Sequence, residues 1–203
     1  MKPEIAYIHG VNTPASFDCK MQVESVLAVH GLDVDCCVVR WDSHGAIEDM
    51  AKFTLNDAWR TEQVNVVADT LVEYDDPGRP VMTPKVLVAH SLGTVLVAAA
   101  LRRMPGMALK TIFLGSPWHN AFARTGFEAL GIRGPLAITP WSFYNNDDEI
   151  CGGSYAREIS WAHNTRIAYA GDSAPFVEHD PAWYLRHQLV GAKVKEFLWG
   201  PST

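Results

Sequence analysis

"KVLVAHSLGTVLVAAAL", Lys85 to Leu101, sets a run of apolar residues around a His, a Ser and a Gly. Val86 to Ala89 has the length and branching of a short buried strand, and Thr94 to Leu101 is apolar on nearly every side of a helix. The polar trio falls at the joint, where the chain must change from extended to helical within two or three residues.

The same alternation extends in both directions. Upstream, "EIAYIH" (Glu4–His9) reads as a first strand, and "SFDCKMQVESVLAVHG" as an amphipathic helix ended by Gly31. "DVDCCVVRW" (Asp33–Trp41) reads as a second strand, and a helical pattern covers roughly Ala46 to Tyr74 before the turn "DDPGRP". Downstream, strands are expected in "LKTIFLGS" (Leu109–Ser116), in "AITPWSFYNN" and in "NTRIAYAG". A closing helix spans about Pro181 to Leu198, with Leu185, Leu189, Val194 and Phe197 able to share one face. Short strands alternating with helices predict a three-layer α/β/α sandwich around a mostly parallel sheet of about six strands. No repeat or linker divides the chain, so residues 1–203 read as a single domain. The Gly-containing segment around 118–135 reads as a helix and loop, a small lid segment over the site. The absence of a long insertion between strands predicts an accessible site.

In such a sheet, ligands bind at the carboxyl ends of the strands, which is where Ser91 falls. A sharp strand-to-helix turn would lift its hydroxyl out of the packed layers. The turn crowds the backbone, so small residues are needed two before and two after the serine. Those positions hold Ala89 and Gly93, a Gly-x-Ser-x-Gly pattern with the first Gly replaced by Ala. The helix that follows offers unpaired N–H groups and a positive dipole end, so the Leu92 N–H is a candidate oxyanion donor. Serine is also a favoured N-cap, and capping is the competing role for Ser91. "YIHGVNTP" places a sharp His-Gly turn after the first strand, making the Val11 N–H the second candidate donor. A nucleophilic serine also needs a base and a carboxylate to orient it. His179 lies on the loop before the final helix, and Asp147 and Asp148 follow the fifth strand. His187, within the expected final helix, is the alternative base.

On these residues the chain resembles the α/β-hydrolase superfamily. Within it, the resemblance is to small lipase- and esterase-like serine hydrolases with a His-Gly oxyanion loop and an Ala-His-Ser-Leu-Gly elbow. It is carried by "IHGVNTPASFD", the Trp-x-Ser of "RWDSHG", "VAHSLGT", "FLGSPW", "WSFYNNDDEI" and "HDPAWYL", which together cover most of the chain. The resemblance implies the compact α/β-hydrolase fold. It also implies cleavage of a carboxylic ester or thioester through a Ser91–His179–Asp148 triad and an acyl-enzyme, with no metal or cofactor. Asp148 matches the Asp that such families place before a step ending in Val or Ile, and Asp147 is the alternative. The same nucleophile would serve an acyltransferase, and a non-catalytic binding protein on a hydrolase fold is the remaining alternative. His9 and His90 are expected to shape the site beneath the oxyanion loop and the elbow, and Trp118, His119 and Trp141 to line a pocket.

Composition narrows the partners. Of 203 residues, 48% are hydrophobic and 20% charged, with a net charge of −6 and no Lys/Arg block, which argues against binding nucleic acid through its phosphates. No stretch has the roughly 18 consecutive apolar residues of a membrane span. The N-terminus lacks the pattern of a signal peptide, so a cytoplasmic location is expected, with a small or lipid-like ester as substrate. The four cysteines have no Cys-x-x-Cys spacing and read as free thiols rather than zinc ligands.

Overall fold

The computed structural model describes residues 2, 4–11, 13, 18–74, 85–107, 109–118, 125–126, 128–132, 135–145, 148, 159–168 and 179–200. Along β1 (Glu4–Ile8), Ile5 and Tyr7 point into one core while Ala6 and Ile8 point into another. In β3 (Val86–His90), Val86 and Val88 join the first core, and Leu87 and Ala89 the second. This period-2 division is what a strand buried on both faces requires. With β2 (Asp35–Val39), β4 (Lys110–Leu114), β5 (Trp141–Tyr144) and β6 (His163–Arg166) these strands form one sheet of order β2-β1-β3-β4-β5-β6. Every described pairing is parallel.

One face is covered by α1 (Cys19–Ala28), α5 (Pro181–Arg186) and α6 (Gln188–Trp199), through Val23, Leu27, Tyr184, Leu185, Val190 and Val194. The other is covered by α3 (Asp57–Tyr74) and α4 (Leu92–Arg103), with Phe53 of α2 (Ala46–Leu55). Leu92 to Leu101 of α4 are all buried, as their unbroken apolar run requires. The result is the expected three-layer α/β/α sandwich around a parallel six-stranded sheet. Among the described residues, no helix is long and apolar enough to cross a membrane.

Two expected helices are each broken in two. The pattern from Ala46 to Tyr74 is interrupted at Asn56, which is extended at φ −117°, ψ 95°. Its side-chain oxygen accepts from the Trp59 N–H at 3.0 Å, capping α3. The buried Arg60 pins the break by donating to the Phe53 carbonyl and the Asp57 carboxylate. The closing helix is interrupted at His187, at φ −68°, ψ 131°, whose Nδ1 accepts from the Leu189 N–H at 3.3 Å. The break changes the face presented to the core: Val190, Val194 and Leu198 are buried, whereas Leu189 is 49% exposed.

Cys19 and Cys36 are buried free thiols and Cys37 is half-buried. Burial pushes all three thiols above the ordinary cysteine range, which keeps them unreactive. Cys151 lies outside the described residues.

Candidate active site

The strand order turns back between β1 and β3: from β1 the chain first adds β2 on one side, then β3 on the other. That crevice is where an open parallel sheet receives its ligand. The register pairs Ile8 with Ala89, so His9-Gly10 and His90-Ser91 leave the sheet at the same level. Ser91 has φ 51° and ψ −131°, the only positive φ among described residues other than glycine. Its N–H still donates to the Leu114 carbonyl at 3.0 Å, so the bend occurs while the residue is held by β4. Thr94 Oγ1 donates to the Ser91 carbonyl at 2.7 Å and lies 2.7 Å from Ser116 Oγ.

The two glycines beside this bend are fixed by space. A Cβ on Gly93 would overlap the His9 carbonyl oxygen and lie 2.9 Å from Ile8 Cγ2. A Cβ on Gly10 would lie 2.6 Å from Ser91 Cβ and 3.3 Å from Ser91 Oγ. The His-Gly loop therefore rests directly on the serine.

The Ser91 side chain makes no capping bond to α4. Its Oγ lies 2.8 Å from His179 Nε2. On the other side of the ring, Nδ1 lies 2.8 Å from Asp148 Oδ2 and 3.0 Å from Oδ1. An ionised carboxylate only accepts, so Nδ1 carries the proton and Nε2 accepts from the serine O–H. Asp148 is 1% exposed, and the His179 side chain 12%. Tyr184 Oη–H also donates to Asp148 Oδ2, at 2.7 Å.

Ser91, His179 and Asp148 are thus brought together. His187 is not part of this group: it caps α6, and its ring meets the Ala168 backbone and the field of His30. Burial pushes its pKa down. Asp147 and His119 lie outside the described residues. Leu92 opens α4 and is fully buried, while Val11 is half-buried against the α4 side of the sheet. The hydroxyl expected to stand clear of the packed layers is covered: Ser91 is 2% exposed, with Gly10 close to its Cβ and the His179 ring against its Oγ.

His9 and His90 lie beneath the site. His9 Nδ1–H donates to the Gly10 carbonyl at 2.8 Å, its Nε2 accepts from the Trp41 N–H at 3.4 Å, and its ring stacks on Trp41 at 5.1 Å. Burial pushes its pKa down. His90 packs under the elbow with its ring 4.8 Å from that of His179. Burial, then the neighbouring His179, lower its pKa to about 3. Trp118 follows β4 and meets the Trp161 ring at 5.2 Å, on the same side as α4. Trp141 does not wall a pocket at this edge. It opens β5 at the opposite end of the sheet, under the Lys193 ammonium at 3.6 Å, and donates from Nε1 to Thr165 Oγ1 at 2.8 Å.

Several residues that hold the site were given no role in the sequence reading, although "RWDSHG" and "HDPAWYL" were among the stretches that carried the resemblance. Trp41 Nε1–H donates to the His9 carbonyl at 2.8 Å. Ser43 Oγ accepts from the Thr13 N–H at 3.3 Å and donates to the buried Asp49 at 2.7 Å. "RWDSHG" therefore braces the His-Gly loop from the side of β2, and its Trp-x-Ser spacing is the signal for it. Tyr184 has a weaker signal, an aromatic residue five positions after His179 in "HDPAWYL". Among the described residues, no cluster of His, Cys, Asp or Glu is arranged to hold a metal ion.

No family model matches the chain. No curated protein matches it either. Solved structures similar to it include the following three. The dienelactone hydrolase from Anabaena variabilis is 12% identical with a TM-score of 0.41, over 74% of this chain. This chain covers 65% of that protein's length, just under two thirds. The esterase domain of a Rhodothermus marinus protein is 16% identical with a TM-score of 0.39, over 74% of this chain and 69% of that one. A lipase-esterase related protein from Clostridium acetobutylicum is 12% identical with a TM-score of 0.46, over 96% of this chain and 94% of that one.

Proposed function

We propose that the chain is a serine hydrolase that cleaves a carboxylic ester or thioester. The observation that carries this reading is the unbroken donor–acceptor path from Ser91 Oγ through His179 to Asp148, starting from a serine whose backbone is strained. Strain of this kind persists only where surrounding structure enforces it, and it clusters at reactive positions. A serine that served only as a helix cap would have needed neither the positive φ nor the imidazole.

In the proposed reaction, Ser91 Oγ attacks the carbonyl carbon as its proton passes to His179 Nε2. The Leu92 and Val11 N–H groups receive the developing oxyanion. Asp148 keeps the imidazole in the Nδ1–H tautomer and stabilises its charge. The tetrahedral adduct collapses, the leaving alcohol or thiol takes the proton from His179, and an acyl-Ser91 ester remains. Water then attacks that ester, with His179 again as base, and releases the carboxylic acid.

A fluorophosphonate probe tests this directly. Folded protein is expected to be modified at Ser91, with no modification in Ser91→Ala. An unmodified Ser91 in protein that melts cooperatively would end the proposal. The near-complete burial of Ser91 favours a second reading, acyl transfer, because a covered acyl-enzyme can be shielded from water. Product analysis with and without an alcohol or amine acceptor separates the two.

A further inference from the structure

We propose that Tyr184 is a positioning residue, one that fixes the Asp148 carboxylate and through it sets the basicity of His179. The inference rests on the serine-hydrolase reading above. Tyr184 is fully buried, and its hydroxyl donates to Asp148 Oδ2 at 2.7 Å. The His179 Nδ1–H reaches the same oxygen at 2.8 Å. Two donors therefore converge on one carboxylate oxygen and hold it in place.

Both donors come from one short segment. His179 directly precedes Asp180, the N-cap of α5, whose carboxylate accepts from the Ala182 N–H at 2.6 Å. Pro181 fixes the first helical position. The offset from imidazole to phenol is thus set by a capped helical turn. The phenol ring is held as well. Gly115, at φ 51°, leaves it room: a Cβ there would lie 2.9 Å from Tyr184 Cε2 and 3.0 Å from Oη. On another side lies the His90 ring, at 6.2 Å. A phenol needed only for packing would not require its hydroxyl against a buried charge.

The chemical consequence has a definite sign. A hydrogen bond to an ionised carboxylate lowers its basicity. Asp148 then stabilises the His179 imidazolium less than an unbonded carboxylate would. Removing the phenol O–H makes Asp148 more basic, strengthens its hold on the imidazolium, and is expected to move the acid limb of the reaction to higher pH. Among the described residues, the other titratable groups near this cluster are His90 from β3, His9 from the end of β1, and Asp180 at the start of α5. His90 is held neutral well below the working range, and burial pushes His9 down too. The Asp180 carboxylate is engaged by its own helix.

The test measures the fluorophosphonate labelling rate of Ser91 from pH 5 to 9 for wild type, Tyr184→Phe, Asp148→Asn and the double variant. Loss of one hydrogen bond to a charged group is expected to slow labelling at the plateau by roughly 3–10-fold and to move the acid limb up by about half a pH unit. In the Asp148→Asn background the same change is expected to cost less than about 2-fold, because its target charge is gone. Tyr184→3-fluorotyrosine, introduced at this site alone, keeps the ring and strengthens the donor. It is expected to move the acid limb to lower pH, and it serves if Tyr184→Phe does not fold. An unchanged acid limb in both variants, or an equal loss with and without the Asp148 charge, would overturn the positioning role while leaving the triad intact. Folded wild type that is unlabelled at Ser91 would remove the serine reading and this role with it.

Discussion

Ser91→Ala and Ser91→Gly both delete the hydroxyl and its bond to His179, so comparing them isolates the backbone. At φ 51° and ψ −131° Ser91 lies outside the left-handed helical well, in territory open essentially to glycine. Holding a side-chain-bearing residue there costs roughly 1–3 kcal/mol. Glycine ordinarily loses about 0.5–1 kcal/mol relative to alanine through its greater freedom in the unfolded chain. The difference leaves Ser91→Gly more stable than Ser91→Ala by up to about 2.5 kcal/mol, the reverse of the usual order. For a domain of this size that corresponds to up to roughly 10 °C in melting temperature. Paired thermal melts by calorimetry or circular dichroism read it, and both variants should be unreactive towards the probe. If Ser91→Ala melts at or above Ser91→Gly, the backbone at 91 carries no such strain and the elbow argument fails.

Gly93→Ala drives a Cβ into the backbone at the end of β1, which cannot swing away as a side-chain tip could. A loss of about 2–3 kcal/mol and at least a 10²-fold fall in labelling rate are expected, whereas Gly106→Ala, facing open space, should melt within about 2 °C of wild type. Asp148→Asn should retain the fold but lose the correct imidazole tautomer, lowering kcat on a nitrophenyl ester by about 10⁴-fold; activity near the wild-type level would exclude Asp148 as the orienting acid. His90 has a folded pKa of about 3, below the ordinary histidine value, so the unfolded chain binds the extra proton between those limits. Its stabilising effect is therefore complete above the unfolded pKa and is lost as pH falls towards 3. His90→Gln should flatten the fall in unfolding free energy between pH 6 and 4 by up to about 1.4 kcal/mol per pH unit, as read by urea melts. An unchanged slope would show that His90 is not buried neutral.

The layers were legible because each strand carries its own boundary. Val86 to Ala89 and Ile5 to Ile8 are continuous apolar runs of strand length, each ending at a polar or glycine turn. The bend at Ser91 was legible for the same reason: only a crowded turn explains small residues at 89 and 93 around a serine. The helix breaks at Asn56 and His187 were not, because each depends on one residue's backbone angles while the apolar pattern runs on across it. The roles of Tyr184, Trp41 and Asp49 were also hidden. An aromatic residue in an apolar stretch reads as core, and Tyr184 is indeed core by burial; only the fold brings its hydroxyl to a carboxylate 36 positions away. Trp141 failed in the opposite sense, since proximity to a strand does not say at which end of it a side chain lies.

The patterning that builds the two cores also aligns the site. A one-residue slip of β1 against β3 would turn Ile5 and Tyr7 out of one core and Ala6 and Ile8 out of the other. The hydrophobic division therefore locks Ile8 opposite Ala89, and this alignment sets His9 level with His90 and lays Gly10 against Ser91. Once that approach is fixed, no side chain fits at Gly10 or Gly93, and the bend at Ser91 has no room to relax. The strain at the serine is thus maintained by burial spread over both faces of the sheet. A large-to-small change such as Ile8→Ala, remote from the hydroxyl, should then slow labelling of Ser91 by more than the population it unfolds can explain; labelling that scales only with the folded fraction would show that core and elbow are separate constraints.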